Sequence, residues 1–327
     1  MRAIIPVAGY GTRLRPHTYS LPKVLLNVAG KPILGHILDT LLEENITDAT
    51  IVIGYMGDMI RQFVEQNYSL NVEFVQQEQP LGLGHSIWCA RDTFGTKPVF
   101  IILGDTIFDV NLAPVLASQT SMLGVKYVED PRRFGVVESN EGVVTKLIEK
   151  PEDPTSHMAI VGLYHIRNSG LLKSCLNELV ASDIRTRGEY QLTDALQMMI
   201  DRGETFGTFP VEGWFDCGKP ETMLETNRHL LAKRSHVPSV EGSVIIPPVF
   251  IGRSAVVERS VIGPYATVAE GATVKDAHIR NSIVSNGATV TSTLMEDSIV
   301  GNNAVVRGRF KRLNVGDSSE INDGEAY

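Results

Sequence analysis

Residues 2–16, RAIIPVAGYGTRLRP, decide the fold. The apolar run at 2–7 has the make-up of a short buried strand, and it breaks directly on Ala8-Gly9-Tyr10-Gly11. A strand that ends in a glycine loop is how an α/β unit opens. Glycines at that point let backbone N–H groups approach an anion closely. The loop is not a Walker loop, because no GK[ST] follows, and it is not a dinucleotide fingerprint, whose third glycine would fall at Leu14. Its distinctive feature is a pair of arginines, Arg13 and Arg15, with Pro22-Lys23 soon after. Backbone donors beside several cations suit a polyphosphate.

Outward from this loop the same alternation continues to about residue 232. Strands are predicted at 2–7, 49–53, 72–76, 99–103, 122–128, 136–138 and 158–165, all rich in Val and Ile. Helices are predicted at 33–44, 56–67, 84–93, 112–119, 171–179 and 192–202, where apolar residues recur at helical spacing. Such alternation implies a mostly parallel sheet covered by helices.

Beyond Leu231 the pattern changes. A polar linker is expected at 233–241. From 242 onward Ile245, Ile251, Val257, Ile262, Val268, Val274, Ile279, Val284, Val290, Met295, Val300 and Val306 recur at steps of five or six. Ala255, Ala266, Ala272, Ala288 and Ala304 each stand two places before an aliphatic. That period is too short for helical repeats and too long for strand alternation. It fits a left-handed parallel β-helix of three or four coils, with one aliphatic per face pointing inward and small residues at the corners. The expected domains are 1–232, then the linker, then 242–327 comprising the β-helix and a polar tail with a basic cluster at Arg307, Arg309, Lys311 and Arg312.

Composition narrows the function. A hydrophobic fraction of 43% suits packed cores. A net charge of -8 without a basic stripe argues against nucleic-acid binding. Cys89, Cys175 and Cys217 are odd in number and lack CxxC spacing, which argues against disulfides and structural zinc. No signal-peptide pattern and no membrane-length apolar run are visible, so a cytoplasmic protein is expected.

Further motifs follow the glycine loop in order: QEQPLGLG at 77–84, Gly104-Asp105, Phe134-Gly135-Val136-Val137, Glu149-Lys150-Pro151, Gly162-Leu163-Tyr164 and Trp214-Phe215-Asp216-Cys217-Gly218. Asp105 ends the strand FIILGD, and Asp216 lies at another strand-to-loop junction. Carboxylates that converge there can hold Mg²⁺, which prefers a few carboxylates plus phosphate oxygens.

With GYGTRLRPHTYSLPK at 9–23, these motifs resemble the sugar-1-phosphate nucleotidylyltransferases, and the resemblance covers nearly all of 1–232. It implies a Rossmann-like nucleotidyltransferase domain and transfer of a nucleotidyl group from a nucleoside triphosphate to a hexose 1-phosphate, releasing pyrophosphate. It implies nucleotide contacts from Ala8, Gly9, Gly11, Thr12, Arg13, Gln77 and Gly82. Sugar-phosphate contacts are implied from Gly135, Glu149, Lys150, Val161 and Trp214. Catalytic roles fall to Arg15, Lys23, Asp105 and Asp216, with Mg²⁺ on the two aspartates. LGLGHS at 81–86 is more similar to the uridylyl and thymidylyl branches than to the guanylyl branch, so UTP or dTTP with glucose 1-phosphate is the favoured pair. Mannose-1-phosphate guanylyl transfer and N-acetylglucosamine-1-phosphate uridylyl transfer stay open, as does a non-catalytic sugar-nucleotide-sensing subunit. The appended β-helix is similar to hexapeptide-repeat domains and points to a homo-oligomer. An acyltransferase role would fall to His278, the one histidine after residue 242. His85 is read as structural support, and Cys217 as a packed thiol.

Overall fold

The computed structural model describes residues 1–234 and 238–308. The chain forms two compact units, Met1–Leu230 and Leu231–Tyr327. The tail positions Arg309, Lys311 and Arg312 lie outside the described residues, as does 235–237 of the expected linker.

The first unit contains strands β1 (Arg2–Pro6), β2 (Asn27–Val28), β3 (Lys31–Pro32), β4 (Asp48–Ile53), β5 (Asn71–Gln76), β6 (Val99–Ile102), β7 (Thr106–Asp109), β8 (Ser121–Tyr127), β9 (Gly135–Asn140), β10 (Val143–Glu149), β11 (Met158–Ile166), β12 (Phe206–Pro210) and β13 (Gly213–Asp216). Its helices are α1 (Ile33–Glu43), α2 (Gly57–Asn67), α3 (Leu83–Cys89), α4 (Ala113–Leu116), α5 (Ser169–Ala181), α6 (Leu192–Asp201) and α7 (Pro220–Ala232). A nine-stranded sheet runs β5-β4-β1-β6-β11-β8-β12-β10-β9. Its ladders are parallel from β5 to β6 and between β8 and β12. The other pairings are antiparallel. The sheet is therefore mixed, and its parallel part is the βαβ alternation read from the sequence.

Strand order positions the site. From β1 the chain moves outward to β4 and β5, then returns to place β6 on the other side of β1. Right-handed crossovers then put α3 on the face opposite α1 and α2. The reversal leaves a crevice at the carboxyl ends of β1 and β6, where ligands bind in open α/β sheets. The glycine loop follows β1 and Asp105 follows β6, so both open into that crevice.

The core is built by periodicity. α1 buries Ile33, Leu34, Ile37, Leu38 and Leu41 along one stripe. Asn168 caps α5 by accepting a hydrogen bond from the Leu171 N–H at 3.0 Å. A buried cluster joins Ile4 and Ile101 of the central strands to Ile87 of α3, Leu172 and Leu176 of α5, and Leu196 and Met199 of α6.

The predicted strands and most helices recur with shifted ends. The predicted helix at 112–119 shortens to one turn, Ala113–Leu116, with Pro114 at its start. The predicted helix at 84–93 ends at Cys89 and continues as a 3₁₀ turn, Arg91–Thr93. Strands β2, β3, β7, β10, β12 and β13 and helix α7 are additions. β7 and β13 have four residues each, and β12 carries a glycine and a proline.

In the second unit, three parallel four-stranded sheets stack. One consists of Val244–Ile245, Val261–Ile262, His278–Ile279 and Leu294–Met295. Equivalent positions of successive coils lie 16 or 17 residues apart. This is the arrangement of a left-handed parallel β-helix, and it comprises four coils. Every aliphatic of the predicted series is in the interior cluster or packs against it. Buried Ala266, Ala272 and Ala288 sit in the same cluster. Outside, Arg259 forms two hydrogen bonds of 2.7 Å to the Asp276 carboxylate of the next coil. His278 is exposed on the outer surface. No helix among the described residues is long and apolar enough to cross a membrane.

Candidate active site

The glycine loop is held by its own geometry. Gly11 has φ +61, and a Cβ there would lie 3.0 Å from both Lys23 Cβ and Thr18 Cγ2. Only glycine combines that backbone with that crowding. Its carbonyl accepts from Thr18 Oγ1 at 2.8 Å and from the Leu14 N–H at 3.0 Å. The chain turns through a 3₁₀ helix, Thr12–Leu14, whose Leu14 is buried.

Lys23 begins a further 3₁₀ turn after Pro22, and its side chain is only 9% exposed. Its Nζ donates to Asp105 Oδ2 at 2.7 Å. This contact ties the β1 loop to the end of β6. Burial opposes the charge on Asp105, yet the Lys23 ammonium and a hydrogen bond from Thr106 hold its carboxyl below the ordinary range.

Asp216 arrives by strand pairing. β13 pairs antiparallel with β7, setting Asp216 opposite Thr106, and the Cys217 N–H donates to the Asp105 carbonyl at 3.1 Å. The two aspartates predicted as metal ligands are thus neighbours across one ladder. Burial raises the Asp216 carboxyl, and the Asp105 charge adds to the rise, against Lys23 and Arg13. A Cβ on Gly218 would meet both Asp216 carboxylate oxygens at 2.8 Å and Arg13 Nη2 at 2.9 Å, so Arg13 closes over the same point. Among the described residues no three His, Cys, Asp or Glu side chains gather as a metal group. Two hard carboxylates without sulfur or imidazole are a donor set suited to Mg²⁺ completed by phosphate oxygens.

Two cavities open from this centre and share Arg13, Leu103 and Asp105. One, of about 570 Å³, is lined by Ala8, Gly9, Gly11, Thr12, Arg13, Gln77 and Gly82, the residues predicted as nucleotide contacts, and by Lys23. The other, of about 750 Å³, is lined by Lys150, Val161, Trp214 and Asp216. Gly135 and Glu149 stand behind its wall: Thr193 Oγ1 donates to Glu149 Oε2 at 2.7 Å, Lys150 Nζ lies 3.2 Å from Glu149 Oε1, and a Gly135 Cβ would touch both Thr193 and Glu149. Arg15 is not brought in. It is exposed, with its guanidinium 5.0 Å from the Tyr19 ring.

The sequence reading missed several cations. Arg132, Arg133, Arg187 and Lys219 line the larger cavity with Lys150. Arg132-Arg133 precede the FGVV motif and Lys219 follows the WFDCG motif, whereas Arg187 precedes the GEYQLTD loop at 188–194. Arg187 Nη2 donates to the Lys150 carbonyl at 2.9 Å. The GEYQLTD loop also bounds the smaller cavity through Glu189. Cys217 is packed: burial pushes its thiol up to about 12, and it donates to Thr226 Oγ1 at 3.6 Å.

Residues 2–233 match the family model described as nucleotidyl transferase. The chain belongs to the nucleotidyl transferase family. Among the relatives of this nucleotidyl transferase is the low-salt glycan biosynthesis nucleotidyltransferase Agl11 of Haloferax volcanii, 31% identical over 87% of each chain. A glucose-1-phosphate thymidylyltransferase of Streptomyces griseus is 33% identical over the same shares. A solved UDP-glucose pyrophosphorylase complexed with UDP-glucose is 26% identical with a TM-score of 0.60, covering 71% of this chain and 99% of its own. These homologues are sugar-phosphate nucleotidyltransferases, and the two cavities of the present enzyme adjoin at Asp105.

One glycine of the smaller cavity gives a direct test. Gly82 has φ +109, and a Cβ there would lie 2.6 Å from the Tyr190 carbonyl. Gly82→Ala is expected to push the 81–84 loop off the GEYQ turn. It should raise the KM for the nucleoside triphosphate about tenfold or more with a smaller change in kcat, read by steady-state pyrophosphate release.

Proposed function

We propose that this enzyme transfers a nucleotidyl group from UTP or dTTP to glucose 1-phosphate, with Mg²⁺ held by Asp105 and Asp216. The reading rests on one observation: the two cavities meet at Asp105 and Arg13, with Lys23 bonded to that same carboxylate. The smaller cavity takes the nucleotide on the glycine loop, and the larger takes the hexose phosphate against Lys150, Arg187 and Lys219.

A sugar-phosphate oxygen attacks the α-phosphorus in line. The α–β bridging bond breaks, and its electron pair leaves on pyrophosphate. The nucleophile is already ionised, so no general base is needed, and catalysis is positioning plus charge stabilisation. Mg²⁺ supplies charge neutralisation to the phosphates when bound. Lys23 and Arg13 face the nucleotide phosphates, and Lys150 holds the attacking phosphate. Glu149, braced by Thr193, accepts from sugar hydroxyls. Arg15, exposed over Tyr19, takes no part in this scheme. The retained cations and both aspartates favour catalysis over a sensing role.

The test is pyrophosphate release with UTP, dTTP, GTP, CTP and ATP against glucose, mannose and N-acetylglucosamine 1-phosphates. UTP or dTTP with glucose 1-phosphate is expected to give the largest kcat/KM. A larger value for GTP with mannose 1-phosphate would replace the pair proposed here. Chelation with EDTA is expected to lower turnover by on the order of a hundredfold or more, and added Mg²⁺ to restore it. Full activity in EDTA would remove the metal from the scheme.

A further inference from the structure

We infer that His85 is a positioning residue that fixes the amide of Gln77, so that Gln77 presents only its carbonyl oxygen to the base and selects nucleobases carrying a ring N–H at that edge. The inference rests on the proposal that the smaller cavity holds the nucleotide base near Gln77. It adds what sets the hydrogen-bond polarity of that contact.

Gln77 is 7% exposed and lines the smaller cavity. Its Nε2 lies 3.3 Å from the Gly82 carbonyl and 2.9 Å from His85 Nδ1. A carbonyl only accepts, so the amide nitrogen must be the atom on that side, and His85 must offer an unprotonated Nδ1. Both amide protons are then committed. Oε1 is left without a protein partner among the described residues, on a side chain that is almost wholly buried. A buried acceptor of this kind discriminates by what it leaves unpaired. Uracil, thymine and guanine offer a ring N–H to it, whereas cytosine and adenine offer a lone pair.

His85 is itself held in a stack. Its ring lies 5.5 Å from Trp88 and 6.1 Å from Tyr190, each tilted by 26°. Arg91 covers the outer side of Trp88 at 3.8 Å, and Arg185 covers Tyr190 at 4.4 Å. Asp183 fixes the far end, accepting from Tyr190 Oη at 2.5 Å and from Arg185 Nε at 2.7 Å. The Leu81 carbonyl accepts from the Tyr190 N–H at 2.8 Å, joining the stack to the cavity loop. Burial first, then the Arg185 and Arg91 charges, hold His85 below its ordinary value and so keep Nδ1 an acceptor.

Two substitutions separate the hydrogen bond from the stack. His85→Phe keeps an aromatic ring and removes the acceptor. His85→Asn removes the ring but can return an acceptor oxygen at the Nδ1 position. The readout is the ratio of kcat/KM for UTP to that for CTP, since these bases differ at the edge in question. In His85→Phe the ratio is expected to fall about tenfold, the scale of one neutral hydrogen bond, chiefly through KM for UTP with kcat nearly unchanged. In His85→Asn the ratio should stay within about threefold of wild type even if the melting temperature falls. An unchanged ratio in His85→Phe, or equal losses in both variants, would overturn the inference. Gln77→Leu is run in parallel. If it leaves the ratio intact, Gln77 does not read the base and the underlying assignment fails. If it abolishes discrimination while His85→Phe does not, only the role of His85 fails.

Discussion

Asp216→Asn is expected to lower turnover by on the order of a hundredfold or more while leaving the protein as stable as wild type or more so. The two effects share one cause. Burial and the neighbouring Asp105 charge raise the Asp216 carboxyl, so its ionised form is disfavoured in the folded chain. An acid with a raised folded pKa opposes folding once it ionises, and that penalty appears as pH rises above its ordinary value of 3.8. Removing the charge removes the penalty. Urea unfolding of both proteins across the acid-to-neutral range should show the variant gaining as pH rises, with the gap closing toward acid pH. The pyrophosphate assay should show the lost turnover under the same neutral conditions. Near-wild-type turnover would remove Asp216 from the cation site, and a large loss of stability would make it a structural residue.

Lys23→Ala is expected to lose both activity and stability. Its ammonium is 9% exposed, and Asp105 is its hydrogen-bonded partner at 2.7 Å. Without it, the Asp105 charge stands beside Asp216 with Arg13 as the remaining cation that acts on both. Turnover should fall by on the order of a hundredfold or more, as for loss of one charge-stabilising donor. The Asp105 side chain is 40% exposed, so water screens part of the cost. A loss of about 1–3 kcal/mol is expected. The sign follows from Asp105: its lowered carboxyl contributes stability above the ordinary value of 3.8, and that contribution is lost as pH falls. The deficit of Lys23→Ala should therefore be largest near neutrality and shrink in acid. Lys23→Met keeps the buried stem and should recover part of the melting temperature but none of the turnover. Equal activity in Lys23→Met and wild type would show that the ammonium has no catalytic part.

The repeat was the most legible feature of the sequence. An aliphatic every five or six residues favours stacked coils over a series of short β-hairpins, and Ile262, Val274, Ile279 and Val290 are wholly buried in those coils. The glycine loop, the central strands and both aspartates were legible because each sits at an abrupt change from apolar to polar residues. Arg15 shows the limit of such reading. It shares a loop with Arg13, but the 3₁₀ turn at Thr12–Leu14 sends the two side chains to different places. Arg13 lines both cavities, whereas Arg15 emerges over Tyr19. Residues two apart do not share a face of a 3₁₀ turn, whose eclipsed positions are three apart. Arg133, Arg187 and Lys219 come from loops distant in sequence, and their convergence depends on strand order. β12 and β13 escaped because tertiary pairing overrides weak local preference.

The coiled second unit has a consequence for how such a chain can change length. Each coil contacts only the coils above and below, and strands in register are spaced by about 4.8 Å. Deleting or duplicating a stretch of 16 or 17 residues keeps every aliphatic inward and alters the stack by one step. Losing one residue within a strand instead turns the following side chains to the opposite face. Length changes in this part of the molecule are therefore expected to be quantised: whole rungs can be added or removed with the stack intact, and fractional changes break it.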